Sequence, residues 1–299
     1  MKNYLIILDT KYQSGCKTVD KLYLAIDEPH YDGMTSQLYR QVMLWAYCNL
    51  NEFNFVYVPF KKIAHDCNPT DAEEFFNFGL GELKEQELVD KKINYCFVPK
   101  FKSRQTFNDI SKNLNHLDQF SDRFWNKLEK TKKPKLIFDK NYVNVAVHIR
   151  RGDILEDQKD FGWKFHSDEY FIDSMYKLKQ TNKNIRFYIF SENLTDRAIK
   201  RFPNIFKNCD IFSKFKEIDD LDIQLIIDGC PYYSLWHLFN SDILIASKGC
   251  FSGLPILFHK GSIIVPKGRI FSKKNNISYN EDPVFDLNFN YYENKIYKV

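Results

Sequence analysis

The sequence predicts an α/β fold made of two lobes, and three observations support this. Short apolar runs of strand length alternate along the chain with longer segments of helical spacing. The composition, 44% apolar and 16% aromatic over 299 residues, is sufficient to fill a sizeable core. A polar, Lys-rich stretch that contains Pro134 lies just before residue 140. We therefore expect an N-terminal lobe over residues 1–140, a C-terminal lobe over residues 141–299, and a cleft between them.

The strands are predicted from apolar runs that are too short for helices and rich in β-branched or aromatic residues. In chain order they are Tyr4–Leu8, Leu22–Ile26, Phe53–Val58, Tyr142–Ile149, Arg186–Phe190, Asp242–Ala246 and Gly261–Val265. Because helical segments separate most of them, we expect mainly parallel pairing.

The helices are predicted from apolar residues that recur every three to four positions. They are Met34–Leu50, Glu73–Leu88, Glu169–Gln180, Thr195–Phe202 and Tyr232–Phe239. The turn that opens the first helix, Asp32–Leu38, is either an ordinary N-cap or a ligand-binding turn. The segment from about Ser272, rich in Asn, Tyr and Lys, is not assigned.

Charge and cysteine content exclude several classes of protein. A formal net charge of +4 is too small for the basic stripe of a nucleic-acid-binding domain. The seven cysteines are scattered singly, without a CxxC pair, which favours reduced thiols in a cytosol-like compartment. No signal peptide and no apolar run long enough to span a membrane is present, so we expect a cytoplasmic protein or one peripheral to a membrane surface.

The most informative segment is the strand Val143–Ile149 with the residues that follow it, Arg150, Arg151, Gly152 and Asp153. Ligands of open α/β sheets bind beyond the carboxyl ends of the strands, which is where both arginines are predicted. Guanidinium groups match phosphate oxygens in a bidentate geometry, and a fixed cation stabilises the charge that develops on a leaving diphosphate. The alternative is a solvent-exposed pair of arginines held by a weak ion pair.

A metal site is not expected. Asp220-Leu221-Asp222 has the Asp-x-Asp spacing of metal–diphosphate sites, but neighbouring acidic residues make a charged loop the simpler interpretation. His65 beside Cys67 has no partner at metal-ligand spacing. No Walker or GxGxxG phosphate loop occurs.

The hexad His148-Ile149-Arg150-Arg151-Gly152-Asp153 resembles the first motif of the α1,2-, α1,6- and protein O-fucosyltransferase superfamily. The resemblance implies a GT-B fold, GDP-fucose as donor, inversion at the anomeric carbon and no need for a metal or other cofactor. Arg150 is then expected on the β-phosphate and His148 beside the nucleotide. Arg151 and Asp153 are expected to shape the turn that Gly152 permits; Arg151 and Gly152 count as donor-binding and Asp153 as catalytic beside Arg150. Asp153, Glu156 and Asp157 are the nearby candidates for a general base. The GT-B fold that the resemblance implies consists of two Rossmann-like lobes.

Two later segments resemble the second and third motifs of the same superfamily. The second is the strand that ends in Ser191 and Glu192. The third is a strand, a turn and a helix start, preceded by a helix that carries His237. The donor-binding residues that it implies are Ser247, Lys248, Gly249, Cys250, Phe251 and Ser252. Superfamily members tend to have hydroxyl residues where this chain has Gly249 and Cys250, and Gly253-Leu254 replaces the aromatic pair of bacterial α1,2-enzymes.

The sequence therefore predicts an inverting, metal-independent fucosyltransferase that acts on a glycan or protein acceptor, with the acceptor on the side of the first lobe. Two alternatives remain open. Gly249 and Cys250 are compatible with another nucleotide-deoxysugar donor, and the altered third motif is compatible with a non-catalytic module that binds a glycan or a nucleotide.

Overall fold

The computed structural model describes residues 22–26, 32–65, 67–91, 95–98, 115–152, 166–181, 184–201, 203, 209–265 and 296–298. The chain divides into two compact units between Lys133 and Pro134, close to the boundary expected near residue 140. The predicted strand Tyr4–Leu8, the Asp153–Asp157 segment and most of the chain beyond Ser272 lie outside the described residues.

The first unit is built on a parallel sheet. Its strands, in the spatial order β3-β2-β1-β4, are β1 (Tyr23–Ile26), β2 (Asn54–Tyr57), β3 (Leu83–Lys84) and β4 (Cys96–Val98). β1 pairs in parallel with β2 on one side and with β4 on the other. Parallel strands are covered by helices on their faces, which is consistent with the buried Leu24, Ala25, Val56 and Tyr57.

The first helix, α1, spans Met34–Leu50 as predicted. Asp32 fixes its start, because the carboxylate accepts hydrogen bonds from the Gly33 N–H and the Ser36 hydroxyl at 2.9 and 2.7 Å. The apolar face of α1 is buried, with Leu38 and Trp45 fully inaccessible.

The predicted helix Glu73–Leu88 is wrong. The segment forms two short helices, α2 (Pro69–Phe76) and α3 (Glu85–Asp90), separated by a turn and β3. Asn68 caps α2 by accepting the Thr70 N–H, and Asn77 ends it in a left-handed conformation with φ 50°. Gly81, at φ +72°, continues the turn, and neither conformation belongs to a helix interior. The last helix of this unit, α4, spans Asn115–Leu128 and was not predicted.

The second unit is also built on a parallel sheet. Its strands, in the spatial order β10-β9-β8-β5-β6-β7, are β5 (Val143–His148), β6 (Ile185–Ser191), β7 (Ile223–Ile227), β8 (Ile243–Ile245), β9 (Ser262–Val265) and β10 (Ile296–Lys298). β5 lies centrally, paired with β6 from Val143↔Ile185 to His148↔Phe190, and with β8 from Val145↔Ile243 to Val147↔Ile245. β7 was not predicted; it is an Ile- and Leu-rich run whose residues are only partly buried.

Helices connect these strands. They are α5 (Asp168–Thr181), α6 (Asp196–Arg201), α7 (Ser213–Lys216), α8 (Pro231–Asn240) and α9 (Cys250–Phe258). The predicted Glu169–Gln180 and Tyr232–Phe239 helices match α5 and α8 to within about one residue at each end. A core of fully buried residues joins sheet and helices, including Val145, Phe171, Phe187 and Ile245.

The strand order of the second unit determines where a ligand can bind. Numbered from β5, the order is 3-2-1-4-5-6, that of the doubly wound nucleotide-binding fold. From β5 the chain passes first to β6 and β7 on one side, then returns to β8 and β9 on the other. The crossovers diverge between β5 and β8, so a crevice forms beyond the carboxyl ends of these two strands.

His237, on α8, binds the segment around Ile137 that precedes β5. Its Nδ1 donates to the Tyr233 carbonyl at 2.7 Å, and its Nε2 accepts the Ile137 N–H at 3.0 Å. The ring is fully buried between Phe138 and Phe190. Burial lowers the pKa of His237, so the neutral imidazole is the form that this packing requires.

We expect the folded state to lose stability as the pH falls from about 7 to about 5, in part through His237. The pKa of His237 is lower in the folded chain than in the unfolded one. Below the unfolded value of about 6.5, protons therefore bind preferentially to the unfolded chain. Urea unfolding at both pH values should show a smaller decline for His237→Gln than for the wild type. His65→Asn, at an exposed position with φ 64°, is the control; equal declines in all three proteins would contradict this assignment.

Candidate active site

The ends of β5 and β8 are joined by a chain of hydrogen bonds. The Ser247 N–H donates to the Ser252 hydroxyl at 3.1 Å, and that hydroxyl lies 2.5 Å from His148 Nδ1. His148 also packs against the Phe251 ring, with centroids 5.0 Å apart. His148, Ser247 and Ser252 are all buried. The predicted first and third motifs therefore meet at the crevice that the strand order defines.

Arg150 extends across the turn that precedes α9. Gly249 is the N-cap of this helix, and a Cβ atom there would collide with Arg150 Nη1. Gly249 also has φ +108°, which residues with a side chain rarely adopt. The departure from the superfamily pattern at position 249 thus has a structural cause, because only glycine leaves room for the Arg150 guanidinium.

The turn before α9 combines several features that favour an anion. The first turn of a helix presents unpaired backbone N–H groups and a partial positive charge. Lys248 lies immediately before it, half-buried and without a hydrogen-bond or ion-pair partner among the described residues. Burial lowers the pKa of Lys248, as expected for an ammonium group without a counter-ion. Ser247 Oγ is also buried and lacks a partner in this part of the structure.

Arg151 has a different environment from Arg150. Its side chain is 3% exposed, forms an ion pair with Asp168 at the start of α5, and lies over the Phe171 ring. Burial lowers the pKa of Arg151, and the hydrogen bond and charge of Asp168 oppose that shift. Arg151 also donates to the Arg150 carbonyl at 3.0 Å. It therefore anchors the turn on which Arg150 stands, which corresponds to the shaping role predicted for it.

Ser191 and Glu192 lie at the end of β6, next to the same turn. The Ser191 hydroxyl donates to the Ile149 carbonyl at 2.5 Å, which fixes the end of β6 to the residue that follows β5. Gly152 has φ +28°, and a Cβ atom there would collide with the Glu192 carboxylate. These contacts bring three further predicted residues, Ser191, Glu192 and Gly152, to the Arg150 turn.

One predicted residue, His237, is not brought into this group. His237 is inaccessible and both of its ring nitrogens are hydrogen-bonded, so a direct donor contact is not available to it in this structure. Asp153 lies outside the described residues. Cys250 is the first residue of α9.

The Asp220-Leu221-Asp222 pattern lies away from the Arg150 turn. It precedes β7, at the amino end of a parallel strand, whereas the Arg150 turn follows the carboxyl end of β5. Asp220 accepts the Tyr176 hydroxyl at 2.8 Å, and Asp222 pairs with Arg186 Nε at 2.7 Å. Among the described residues no group of His, Cys, Asp and Glu is arranged to hold a metal ion.

The sequence analysis missed two residues beside the Arg150 turn. Asp168, which pairs with Arg151, lies 17 positions after it and immediately before the predicted helix Glu169–Gln180. His166 stacks against Tyr170, and the Tyr170 hydroxyl reaches the Ala246 carbonyl at 3.3 Å. No local pattern marks either residue, because both depend on how α5 packs against the ends of β5 and β8.

The comparisons with known proteins agree with the motif resemblance. The family model "Glycosyl transferase family 11" matches residues 82–205, which include the β5 motif and the end of β6. An α-1,2-colitosyltransferase of Escherichia coli is 29% identical over 112 residues, or 36% of this chain. The chain spans about a third, 34%, of the length of that curated relative. The predicted similarity to the fucosyltransferase-like superfamily is confirmed.

Two solved structures are similar to this chain at low sequence identity and with TM-scores below 0.5. POFUT1 in complex with GDP is 10% identical, with a TM-score of 0.42 over 82% of this chain and 96% of the other. NodZ α-1,6-fucosyltransferase soaked with GDP-fucose is 9% identical, with a TM-score of 0.32 over 80% and 92%. The described residues contain no helix whose length and hydropathy would allow it to cross a bilayer.

We expect Gly249→Ala to weaken the binding of inorganic pyrophosphate by about tenfold to a hundredfold. The added methyl group would displace Arg150, and a hydrogen bond to a charged group is worth about 1.5–3 kcal/mol. Gly253→Ala, in the same helix, is the matched control, because a Cβ atom there meets nothing within 4 Å. Calorimetric titration measures both; equal affinities for wild type and Gly249→Ala would show that Arg150 does not bind the anion.

Proposed function

We propose that this chain is an inverting, metal-independent glycosyltransferase with a GT-B fold that transfers fucose from GDP-fucose to a glycan or protein acceptor. The donor diphosphate would bind the second unit, between the Arg150 turn and the first turn of α9. The family match, the colitosyltransferase relative and the three motifs support the assignment to this class.

The observation that carries the proposal is the convergence of positive charge at the switch point of the sheet. Arg150 from the end of β5, Lys248 from the end of β8, and the amino end of α9 lie at one crevice. The Arg150 guanidinium provides planar donors, Lys248 a compact charge, and the helix backbone N–H groups. A diphosphate, with two adjacent anionic groups, matches this arrangement better than a neutral ligand does.

The chemistry follows from where charge develops. As the bond between the anomeric carbon and the β-phosphate oxygen breaks, negative charge increases on that phosphate. Cations already in place stabilise this charge more in the transition state than in the ground state. Arg151, Asp168, Ser191 and His148 would keep Arg150 and the α9 turn in position through their hydrogen bonds. The acceptor hydroxyl attacks the anomeric carbon from the opposite face, which inverts the anomeric centre, and its proton passes to water as GDP leaves.

Metal independence is part of this proposal. Asp220 and Asp222, the residues with metal–diphosphate spacing, are engaged by Tyr176 and Arg186 at the opposite edge of the sheet. With Arg150 and Lys248 supplying the positive charge, no divalent cation is needed to neutralise the leaving diphosphate.

We accordingly expect transfer to persist in the presence of EDTA.

We propose that the acceptor binds the first unit. That unit carries an open cavity of about 860 Å³ beside the ends of β2 and β3. Tyr57, Glu73, Asn77 and Lys84 are among the residues that line it. Its size lies within the range of sites for small ligands, and its carboxylate, amide and ammonium groups suit the hydroxyl groups of a saccharide.

Arg150→Ala should lower the rate of fucose transfer by about 10²–10³-fold, the range for removing one fixed donor to a developing charge. Arg186→Ala is the matched control, because Arg186 lies at the start of β6 and pairs with Asp222 and Asp139. The control should retain activity to within about threefold, as expected for a partly exposed ion pair. Circular dichroism and melting temperature verify the fold; an unchanged rate for Arg150→Ala would exclude the proposed role.

A second candidate function has a specific observation in its favour. The curated relative is named for the transfer of colitose, a deoxyhexose other than fucose. Gly249 and Cys250 replace hydroxyl residues near the donor, which is compatible with a different sugar. A non-catalytic module that binds a glycan or a nucleotide is the remaining alternative, supported only by the altered third motif.

A donor screen separates these candidates. With a panel of GDP- and dTDP-deoxysugars and a broad set of acceptors, we expect the fastest transfer from GDP-fucose. Faster transfer from another nucleotide-deoxysugar would keep the enzyme class and replace the donor. Binding of GDP without transfer or hydrolysis of any donor would favour the non-catalytic module.

A further inference from the structure

His166 is a half-buried polar residue at the crevice that the proposed mechanism does not use. Its Nε2 atom is inaccessible and has no hydrogen-bond partner among the described residues. Buried polar atoms are nearly always satisfied, and an unsatisfied one calls for an explanation. Three causes are available: strain, a trapped water molecule, or a ligand that completes the site.

Packing fixes the position of the His166 ring. The ring lies against Tyr170, with centroids 5.2 Å apart, and edge-on to Phe171 at 6.4 Å. The Tyr170 hydroxyl donates to the Ala246 carbonyl, the residue before Ser247. The two buried and unpartnered atoms, His166 Nε2 and Ser247 Oγ, are therefore held near the same end of β8.

The charged neighbours of His166 indicate which ligand would complete the site. Burial, followed by the positive charges of Lys248 and Arg151, lowers the pKa of His166 to about 4. The negative charges on α5, Asp168 and Glu169, are paired with Arg151 and with Lys214. The imidazole is therefore neutral at pH 7 and lies in a field that attracts anions.

We propose that His166 binds the donor, its Nε2–H donating a hydrogen bond to a phosphate oxygen of the nucleoside diphosphate. This inference rests on the proposed function and adds to it His166, which lies two residues before the start of α5. A neutral imidazole suits the position, because it donates one directed hydrogen bond without adding a third buried cation beside Lys248 and Arg151. A bound diphosphate would accept the hydrogen bond that Nε2 lacks in this structure. Its negative charge would also offset the positive charges of Lys248 and Arg151.

The test compares two substitutions of His166 in the full chain. His166→Gln retains an amide N–H at the position of Nε2, whereas His166→Leu retains the volume without a donor. Calorimetry with GDP should show about tenfold weaker binding for His166→Leu and a change within about threefold for His166→Gln. Tyr170→Phe keeps the ring packing, loses the hydrogen bond to Ala246, and controls for indirect effects of moving α5.

A spectroscopic readout separates ligand contact from a structural role. In ¹⁵N-histidine spectra of the wild type, assigned with His166→Gln, GDP should shift the His166 Nε2 resonance and raise the pH at which this ring titrates. GDP that binds normally to His166→Leu, with the His166 resonances unchanged in the wild type, would overturn this inference and leave the proposed function intact. Failure of GDP to bind the wild type would overturn both.

Discussion

The arrangement of the site depends on the hydrogen bonds that join the ends of β5 and β8. These strands are neighbours in space but are separated in sequence by β6, β7 and the helices α5 to α8. His148 and Ser252 connect them, and Ser252 also fixes the turn at Ser247. Together with the parallel ladder between β5 and β8, this connection fixes the Arg150 turn relative to the amino end of α9. Fixed donors are what allow a site to stabilise a transition state without reorganising.

The two adjacent arginines of the β5 motif have different environments in the structure. Arg151 is buried and paired with Asp168, so its charge is already neutralised within the fold. Arg150 is directed to the turn before α9 and is accommodated by the absence of a side chain at Gly249. Gly249, which stands where members of the resembling superfamily tend to have a hydroxyl residue, therefore has a structural reason to be glycine. A side chain at position 249 would occupy the space that the Arg150 guanidinium fills.

The sequence was sufficient for the features that local patterns determine. The spacing of apolar residues located α1, α5 and α8, and the Arg-Arg-Gly-Asp turn located the carboxyl end of β5. The predicted Glu73–Leu88 helix failed because the apolar spacing continued through a turn that the left-handed Asn77 and Gly81 enforce. Asp168 and His166 could not be found from the sequence, because their roles arise from the packing of α5 against distant strands. The resemblance brought His237 into the site, whereas the structure gives it two backbone partners in the core.

The central claim is that the crevice between the ends of β5 and β8 binds the diphosphate of a nucleotide sugar. A crystal structure of the protein with GDP tests it most directly. We expect the β-phosphate of GDP to lie within hydrogen-bond distance of the Arg150 guanidinium and of backbone N–H groups in the first turn of α9. A nucleotide bound elsewhere, with Arg150 and Lys248 making no contact to phosphate, would contradict it.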